Sequence, residues 1–123
     1  MLDDVDYGFE MNNLNLNQFN EVMNSNSTEL MVMLFKSLTT NTTFKQKFKN
    51  RFVTLLNTTF TPANLSSLVT TIVDERKDYI PLESSKWGYY VEQSDFDTYV
   101  HAVNDFVNQR DQIVRAQLDL FIP

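Results

Sequence analysis

Three aspartates stand close together at the start of the chain, in the sequence MLDDVDYGFE. Asp4 and Asp6 are two residues apart, so in an extended segment their side chains point the same way. Two such carboxylates can share one hard divalent cation, because Mg²⁺ and Mn²⁺ prefer oxygen ligands. The spacing is therefore suited to a metal-binding role for Asp4 and Asp6. Composition alone favours the alternative, a solvated acidic terminus.

A calcium-binding loop of the EF-hand type is excluded in the same stretch. Counted from Asp3, Gly8 falls at the sixth position of such a loop, where the turn needs glycine. Val5 and Tyr7, however, occupy positions that require oxygen ligands, and Leu14 stands where the bidentate glutamate belongs. The pair of aspartates is therefore better suited to a magnesium-type site.

The other residue types that can do chemistry are isolated in the sequence. His101 is the only histidine and the chain has no cysteine, which excludes a histidine or thiolate zinc site and a cysteine nucleophile. We expect His101 to be a surface or structural residue. Arg76 and Arg110 could hold an anion, although a structural ion pair is the commoner use of such arginines.

The composition is that of a folded domain, and it argues against nucleic acid and a membrane span. In 123 residues, 42% are hydrophobic and 13% aromatic, which is enough to build a core. The formal net charge of −6 argues against nucleic acid as a ligand, since such binding needs a basic surface. No apolar run approaches the roughly 18 residues of a membrane span.

Apolar residues recur every three or four positions over most of the chain, which predicts an all-α fold. Two glycines and three prolines leave little turn material for a sheet. We expect residues 44–57, 62–77 and 96–120 to be mostly helical, and an earlier helix to follow Ser27 as its N-cap. The lysines of the helix over 44–57 should form a solvated face.

Local signals also place several helix ends. Thr61 is a suitable N-cap, and Pro62 after it would lose nothing at the first helical position. Ser94, with Asp97 three residues later, resembles a capping box. The segment PLESSKWGYY should contain a short helix, with Trp87 buried over the core.

These patterns predict a helical bundle of four or five helices in a single domain. Residues 27–123 would form the helical body, and residues 1–26 an acidic element followed by a polar connector. The side chains that we expect to be buried against one another are Phe48, Phe52, Leu55, Leu68, Ile72, Val103, Phe106 and Leu118.

Four stretches, read in order, resemble the C-terminal part of the CotH kinase family, the spore-coat protein H-like proteins. They are DDVDYGF, FKQKFKNRFVTLLNTTFTPANL, KWG and FVNQRDQIVRAQL. The most specific is NRFVTLLNTTF, which is similar to the family's F-x-x-R-F-x-x-L-L-N-T-x-F helix. The matching residues are Asp4, Asp6, Phe48, Arg51, Phe52, Leu55, Leu56, Asn57, Thr58, Phe60, Lys86, Trp87, Phe106, Arg110, Val114 and Leu118.

Members of this family resemble atypical protein kinases. The resemblance therefore implies ATP, Mg²⁺ or Mn²⁺, and transfer of the γ-phosphoryl group to a protein hydroxyl. Asp6-Tyr7-Gly8 is similar to the metal-binding D-x-G element of such enzymes, and Asp4 holds the family's first acidic position. The resemblance also implies a spore-coat, cell-surface or secreted location, with a coat or surface protein as substrate.

The family's glycine-rich phosphate cover, nucleotide lysine and catalytic base lie upstream of these motifs, and this sequence contains none of them. We therefore expect the chain to be the C-terminal lobe of a larger kinase-like domain, inactive without the upstream lobe. Two alternatives stay open. One is a helical interaction module that has lost catalysis, and the other is a purely structural helical domain.

Overall fold

The computed structural model describes residues 13–87 and 93–123, and within them the regular elements are all helical. The predicted all-α fold is thereby confirmed. The three long predicted helices match α3, α4 and α6 closely. In chain order the elements are α1 (Gln18–Asn24), α2 (Leu30–Leu38), α3 (Thr42–Thr58), α4 (Pro62–Arg76), a 3₁₀ turn (Lys77–Tyr79), α5 (Ile80–Trp87) and α6 (Gln93–Phe121).

Asparagine side chains begin two of the helices. The Asn17 side chain accepts a hydrogen bond from the Asn20 N–H at 3.1 Å, which starts α1 inside the segment that the sequence predicts to be a polar connector. The Asn41 side chain accepts one from the Phe44 N–H at 3.0 Å and starts α3. Each satisfies an N–H that the helix itself leaves unpaired. As predicted, α4 begins at Pro62.

Two of the predicted N-caps are wrong. α2 has Glu29 at its N-cap, while the Ser27 hydroxyl accepts a hydrogen bond from the Glu29 N–H at 3.1 Å in the turn before the helix. Ser94 lies inside α6, because Gln93 is already helical. The Gln93 side chain donates to Asp97 at 3.0 Å, so Asp97 forms an i,i+4 pair within the helix instead of a capping box.

The described residues form two compact units. The first, which we call the α4 unit, contains residues 13–14, 62–87 and 93–109, that is α4, α5 and the first part of α6, with two residues from the start of the described chain. The second, the α3 unit, contains residues 15–61 and 110–123, that is α1, α2, α3 and the last part of α6.

Six phenylalanine rings meet in the α3 unit. The ring of Phe121 stacks on that of Phe19 with centroids 5.0 Å apart. The Phe48 ring lies 5.4 Å from that of Phe35 and 5.7 Å from that of Phe52. The cluster draws on all four helices of the unit, and the four-residue spacing on α3 places three of its members on one face. Its members are Phe19, Phe35, Phe44, Phe48, Phe52 and Phe121.

The predicted core is only partly confirmed. Leu118 is 1% exposed and is the most deeply buried large side chain among the described residues. The prediction is wrong for Leu68 and Ile72, which are 55% and 50% exposed, because their face of α4 lines an open groove. The remaining predicted core residues, which are half-buried, are Phe48, Phe52, Leu55, Val103 and Phe106.

Lys49 on α3 is tied to the end of α6. Its ammonium lies 3.0 Å from the Asp119 carboxylate and donates a hydrogen bond to the Ile122 carbonyl at 2.6 Å. The Lys49 side chain is 22% exposed, whereas that of Asp119 is 70% exposed. The expected solvated lysine face of this helix is therefore interrupted at Lys49.

We expect the backbone contact of Lys49 to matter more than its ion pair. Lys49→Met should lower the free energy of unfolding by about 1–2 kcal/mol, because a charged donor is lost from a shielded carbonyl. Asp119→Asn should cost less than about 0.5 kcal/mol, since an exposed ion pair adds little. Urea unfolding of both variants checks this. Equal losses would mean that the ion pair, and not the backbone contact, carries the effect.

Candidate functional site

The predicted metal ligands Asp4 and Asp6 lie outside the described residues, so their role stays a prediction. Within residues 13–87 and 93–123, no group of three histidine, aspartate or glutamate side chains is placed to hold a metal ion. The structure does describe the backbone that follows the acidic element, from Asn13 to the start of α1.

Two side chains of α6 hold this backbone immediately before α1. Arg110 donates from Nη2 to the Leu16 carbonyl at 2.8 Å. Gln117 donates from Nε2 to the Asn15 carbonyl at 3.0 Å and to that of Leu16 at 3.3 Å. Gln117 comes seven positions after Arg110, which is close to two helical turns, so both lie on one side of α6. We call this arrangement, Arg110 and Gln117 on the peptide at Asn15–Leu16, the α6 clamp.

The α6 clamp is shielded from water. Gln117 is 8% exposed, and Arg110 is half-buried. Burial lowers the pKa of the Arg110 guanidinium from its ordinary value, yet arginine keeps its charge at neutral pH because that value is so high. A charged donor to a carbonyl is stronger than a neutral one, particularly where water is excluded. The sequence predicts an anion or an acidic partner for Arg110, and among the contacts of the described residues it donates to the Leu16 carbonyl.

The other residues singled out in the sequence lie in the α4 unit. His101 is exposed on α6, as expected. The expected burial of Trp87 is wrong, because its side chain is 52% exposed, with the Lys86 ammonium 4.8 Å from the ring centroid. Such a cation–π contact is available to an exposed ring. Arg76 is exposed and forms no salt bridge with any residue that the structure describes.

An open apolar groove runs between α4 and α6 within the α4 unit. Its volume is about 390 Å³. Among the described residues that line it, Arg76 is the one with a charged side chain. Leu68 and Ile72 contribute from α4, and Phe96, Tyr99 and Val103 are among the contributions from α6. The sequence pattern identified these apolar faces but did not indicate that a groove would separate them.

We expect the isolated chain to associate with itself at high concentration. Apolar side chains that line the groove are exposed to water. In the α3 unit, Leu30 and Met31 of α2 are also exposed, by 78% and 71%. Exposed apolar patches of this kind tend to be covered by other molecules. Sedimentation velocity over a range of concentrations checks this, and a single monomeric species throughout would contradict it.

A family model described as "CotH kinase protein" matches residues 1–114. The chain belongs to the CotH kinase family. The match spans nearly the whole chain, from the acidic element through Arg110 of the α6 clamp, and it ends before Gln117. The predicted resemblance to CotH proteins is thereby confirmed.

No curated protein and no solved structure matches this CotH family member. Among the described helices, none has both the length and the apolar character needed to cross a lipid bilayer.

Proposed function

We propose that this CotH family chain is the helical C-terminal lobe of an atypical protein kinase, which transfers the γ-phosphoryl group of ATP to a protein hydroxyl. The observation that carries the proposal is the family match over residues 1–114, which includes both the acidic element and the first half of the α6 clamp. The all-helical architecture of the described residues supports it, since the resemblance implies a mainly helical lobe.

In this proposal Asp4 and Asp6 hold Mg²⁺ or Mn²⁺. Two carboxylates two residues apart suit a hard cation that takes only one or two protein ligands and completes its shell with water and phosphate oxygens. Asp4 and Asp6 would hold such a cation, and its positive charge would offset the negative charge of the transferring group. Because part of the ligand set comes from the nucleotide, the chain alone should bind the metal weakly.

An upstream lobe would supply the remaining parts of the kinase, namely the phosphate cover, the nucleotide lysine and the catalytic base. Phosphoryl transfer depends almost entirely on positioning and electrostatics, so the lobe described here should be inactive by itself. The exposed apolar groove of the α4 unit and the exposed apolar face of α2 support a further lobe or partner in the complete protein.

The substrate that we propose is a protein with an accessible hydroxyl, which the family's resemblance to protein kinases supports. A coat or cell-surface protein is the proposed acceptor, with the enzyme located on the spore coat, at the cell surface or outside the cell. The net charge of −6 makes a polyanionic acceptor such as nucleic acid unsuitable.

The proposal is tested by phosphate incorporation from labelled ATP into a protein acceptor. The comparison is between this chain and the longer protein in which the chain follows an upstream lobe, called the longer protein below. We expect transfer by the longer protein with Mg²⁺ or Mn²⁺ and none by the chain alone. A correctly folded longer protein that transfers no phosphate to any acceptor, itself included, would overturn the kinase proposal and favour the non-catalytic interaction module.

A further inference from the structure

The apolar groove between α4 and α6 has two different ends. Arg76 at the end of α4 and Phe96 near the start of α6 both line the groove and the hollow that adjoins it. The two helices therefore run antiparallel along the groove, with Arg76 and Phe96 at the same end. From there the groove extends to Leu65 on α4 and to Val107 on α6. One end thus carries a cation, and the other end is apolar.

The two walls of the groove have the same length. Arg76 comes eleven positions after Leu65, and Val107 comes eleven after Phe96. At 1.5 Å per residue, each wall is about 16 Å long. An extended alkyl chain advances roughly 1.2 Å per bond, as the three bonds of an extended residue do, so about 12–14 carbons span this length. The volume of about 390 Å³ lies within the range of small-ligand sites.

The side chains that line the groove suit a ligand with an apolar body and one anionic end. Val69, Val73 and Val100 are half-buried and line the groove between its two ends. Arg76 is exposed and forms no salt bridge with any described residue. Its guanidinium is planar and matches the geometry of a carboxylate, to which it can donate two parallel hydrogen bonds. The structure therefore offers an apolar surface with an unpaired cation at one end.

Two glutamates limit the negative charge that this end can accept. Glu75 and Glu83 line the adjoining hollow together with Arg76, and neither is among the described residues that line the groove. Neither forms a salt bridge with Arg76, so the guanidinium is not neutralised by a direct partner. Their charges repel a second negative charge nearby. A single carboxylate is therefore better suited to this end than a dianionic phosphate.

We propose that the groove binds a single-chain fatty acid of about 12–14 carbons, the length that its walls allow. The alkyl chain lies along α4 and α6, and the carboxylate accepts hydrogen bonds from the Arg76 guanidinium. Burial of the alkyl chain removes apolar surface of both ligand and protein from water. The proposal is independent of the kinase assignment, because it uses described residues of the α4 unit alone.

Calorimetric titration of this chain with dodecanoate, below the concentration at which micelles form, tests the proposal. Arg76→Gln is compared with Lys77→Gln, because Lys77 is the neighbouring exposed cation but pairs with Asp74 at 2.8 Å and is not among the residues that line the groove. Leu68→Ser is compared with Leu82→Ser. These leucines are 55% and 63% exposed in the same unit, and of the two Leu68 lines the groove.

We expect R76Q to weaken dodecanoate binding about fivefold, the upper range for an exposed ion pair, and K77Q to leave it unchanged. L68S should weaken binding by a similar factor, whereas L82S should not. Affinity should rise about twofold per methylene from octanoate to about 12–14 carbons and then level off, since full burial is worth about fourfold and the groove is open on one side. Dodecyltrimethylammonium, which has the same tail and the opposite charge, should bind more weakly.

Three results would overturn the proposal, and they are distinguishable. Affinity that rises with chain length without levelling off, and is equal in R76Q and K77Q, would show adsorption to exposed apolar surface in general. Binding of dodecanoate to this chain but not to the longer protein would show that the upstream lobe covers the groove. Absence of binding, together with loss of self-association in L68S but not in L82S, would identify a second copy of the chain as the occupant.

Discussion

Replacing Asp6 with alanine is expected to lower phosphoryl transfer by the longer protein on the order of 10²–10³-fold, and Asp4→Ala should act similarly. A catalytic divalent cation stabilises the developing charge by several kcal/mol, and each 1.4 kcal/mol or so is a factor of ten in rate. Losing one of two carboxylates should also raise the concentration of Mg²⁺ or Mn²⁺ required. Phosphate incorporation measured across a range of each metal checks both effects.

Asp3→Ala is the matched control for these variants. It makes the same change of charge in the same acidic run, yet in an extended segment Asp3 points away from the side shared by Asp4 and Asp6. We expect Asp3→Ala to retain near-normal transfer, and circular dichroism to show an unchanged helical content in all three variants. Full activity in both Asp4→Ala and Asp6→Ala would identify the stretch as a solvated acidic terminus.

The helices were predictable because their signals are local. The apolar spacing on α3 and α4 repeats every three or four residues, and Pro62 marks the start of α4. Helix starts were less predictable, because Ser27 and Ser94 satisfy the same capping rules as Asn41 does. A serine hydroxyl can accept a hydrogen bond in the turn before a helix, or the serine can lie inside the helix. Which of the two occurs depends on the surrounding chain and not on the local sequence.

Burial was harder to predict than helicity. Periodicity shows which face of α4 is apolar, but not whether another element closes over it, so Leu68 and Ile72 were placed in a core. The expectation for Trp87 rested instead on an aromatic residue at a chain reversal, and its side chain is 52% exposed. The hydrogen bonds from Arg110 to Leu16 and from Gln117 to Asn15 left no local signal, because they span about a hundred residues and end on backbone carbonyls, which every residue carries.

The α6 clamp and the aromatic cluster constrain the same part of the α3 unit in different ways. The cluster joins α1, α2, α3 and α6 through apolar surface, which is not directional. Hydrogen bonds from Arg110 and Gln117 are directional and select one position of the backbone at Leu16. Loss of the cluster should therefore reduce stability, whereas loss of the clamp should mainly release the backbone at Asn15–Leu16.

Phe48→Ala is expected to produce the largest loss of stability among the single substitutions in the described residues of the α3 unit. Its ring lies within 6.3 Å, centroid to centroid, of four others, those of Phe19, Phe35, Phe44 and Phe52. Truncating a core phenylalanine lowers the free energy of unfolding by about 3–5 kcal/mol. Each contact between aromatic rings contributes beyond the apolar area that the rings bury. Because Phe48 is half-buried, we expect about 3 kcal/mol, measured by urea unfolding.

Phe60→Ala provides the comparison, because it removes the same side chain from a position that is 47% exposed after the end of α3. The backbone bond from the Phe60 N–H to the Leu55 carbonyl does not depend on the ring and should survive the change. We expect a loss of less than about 1 kcal/mol. If both variants lose the same stability, the cluster around Phe48 is not the centre of the α3 unit. A loss about three times larger for Phe48→Ala than for Phe60→Ala would identify the aromatic cluster as the centre of the α3 unit.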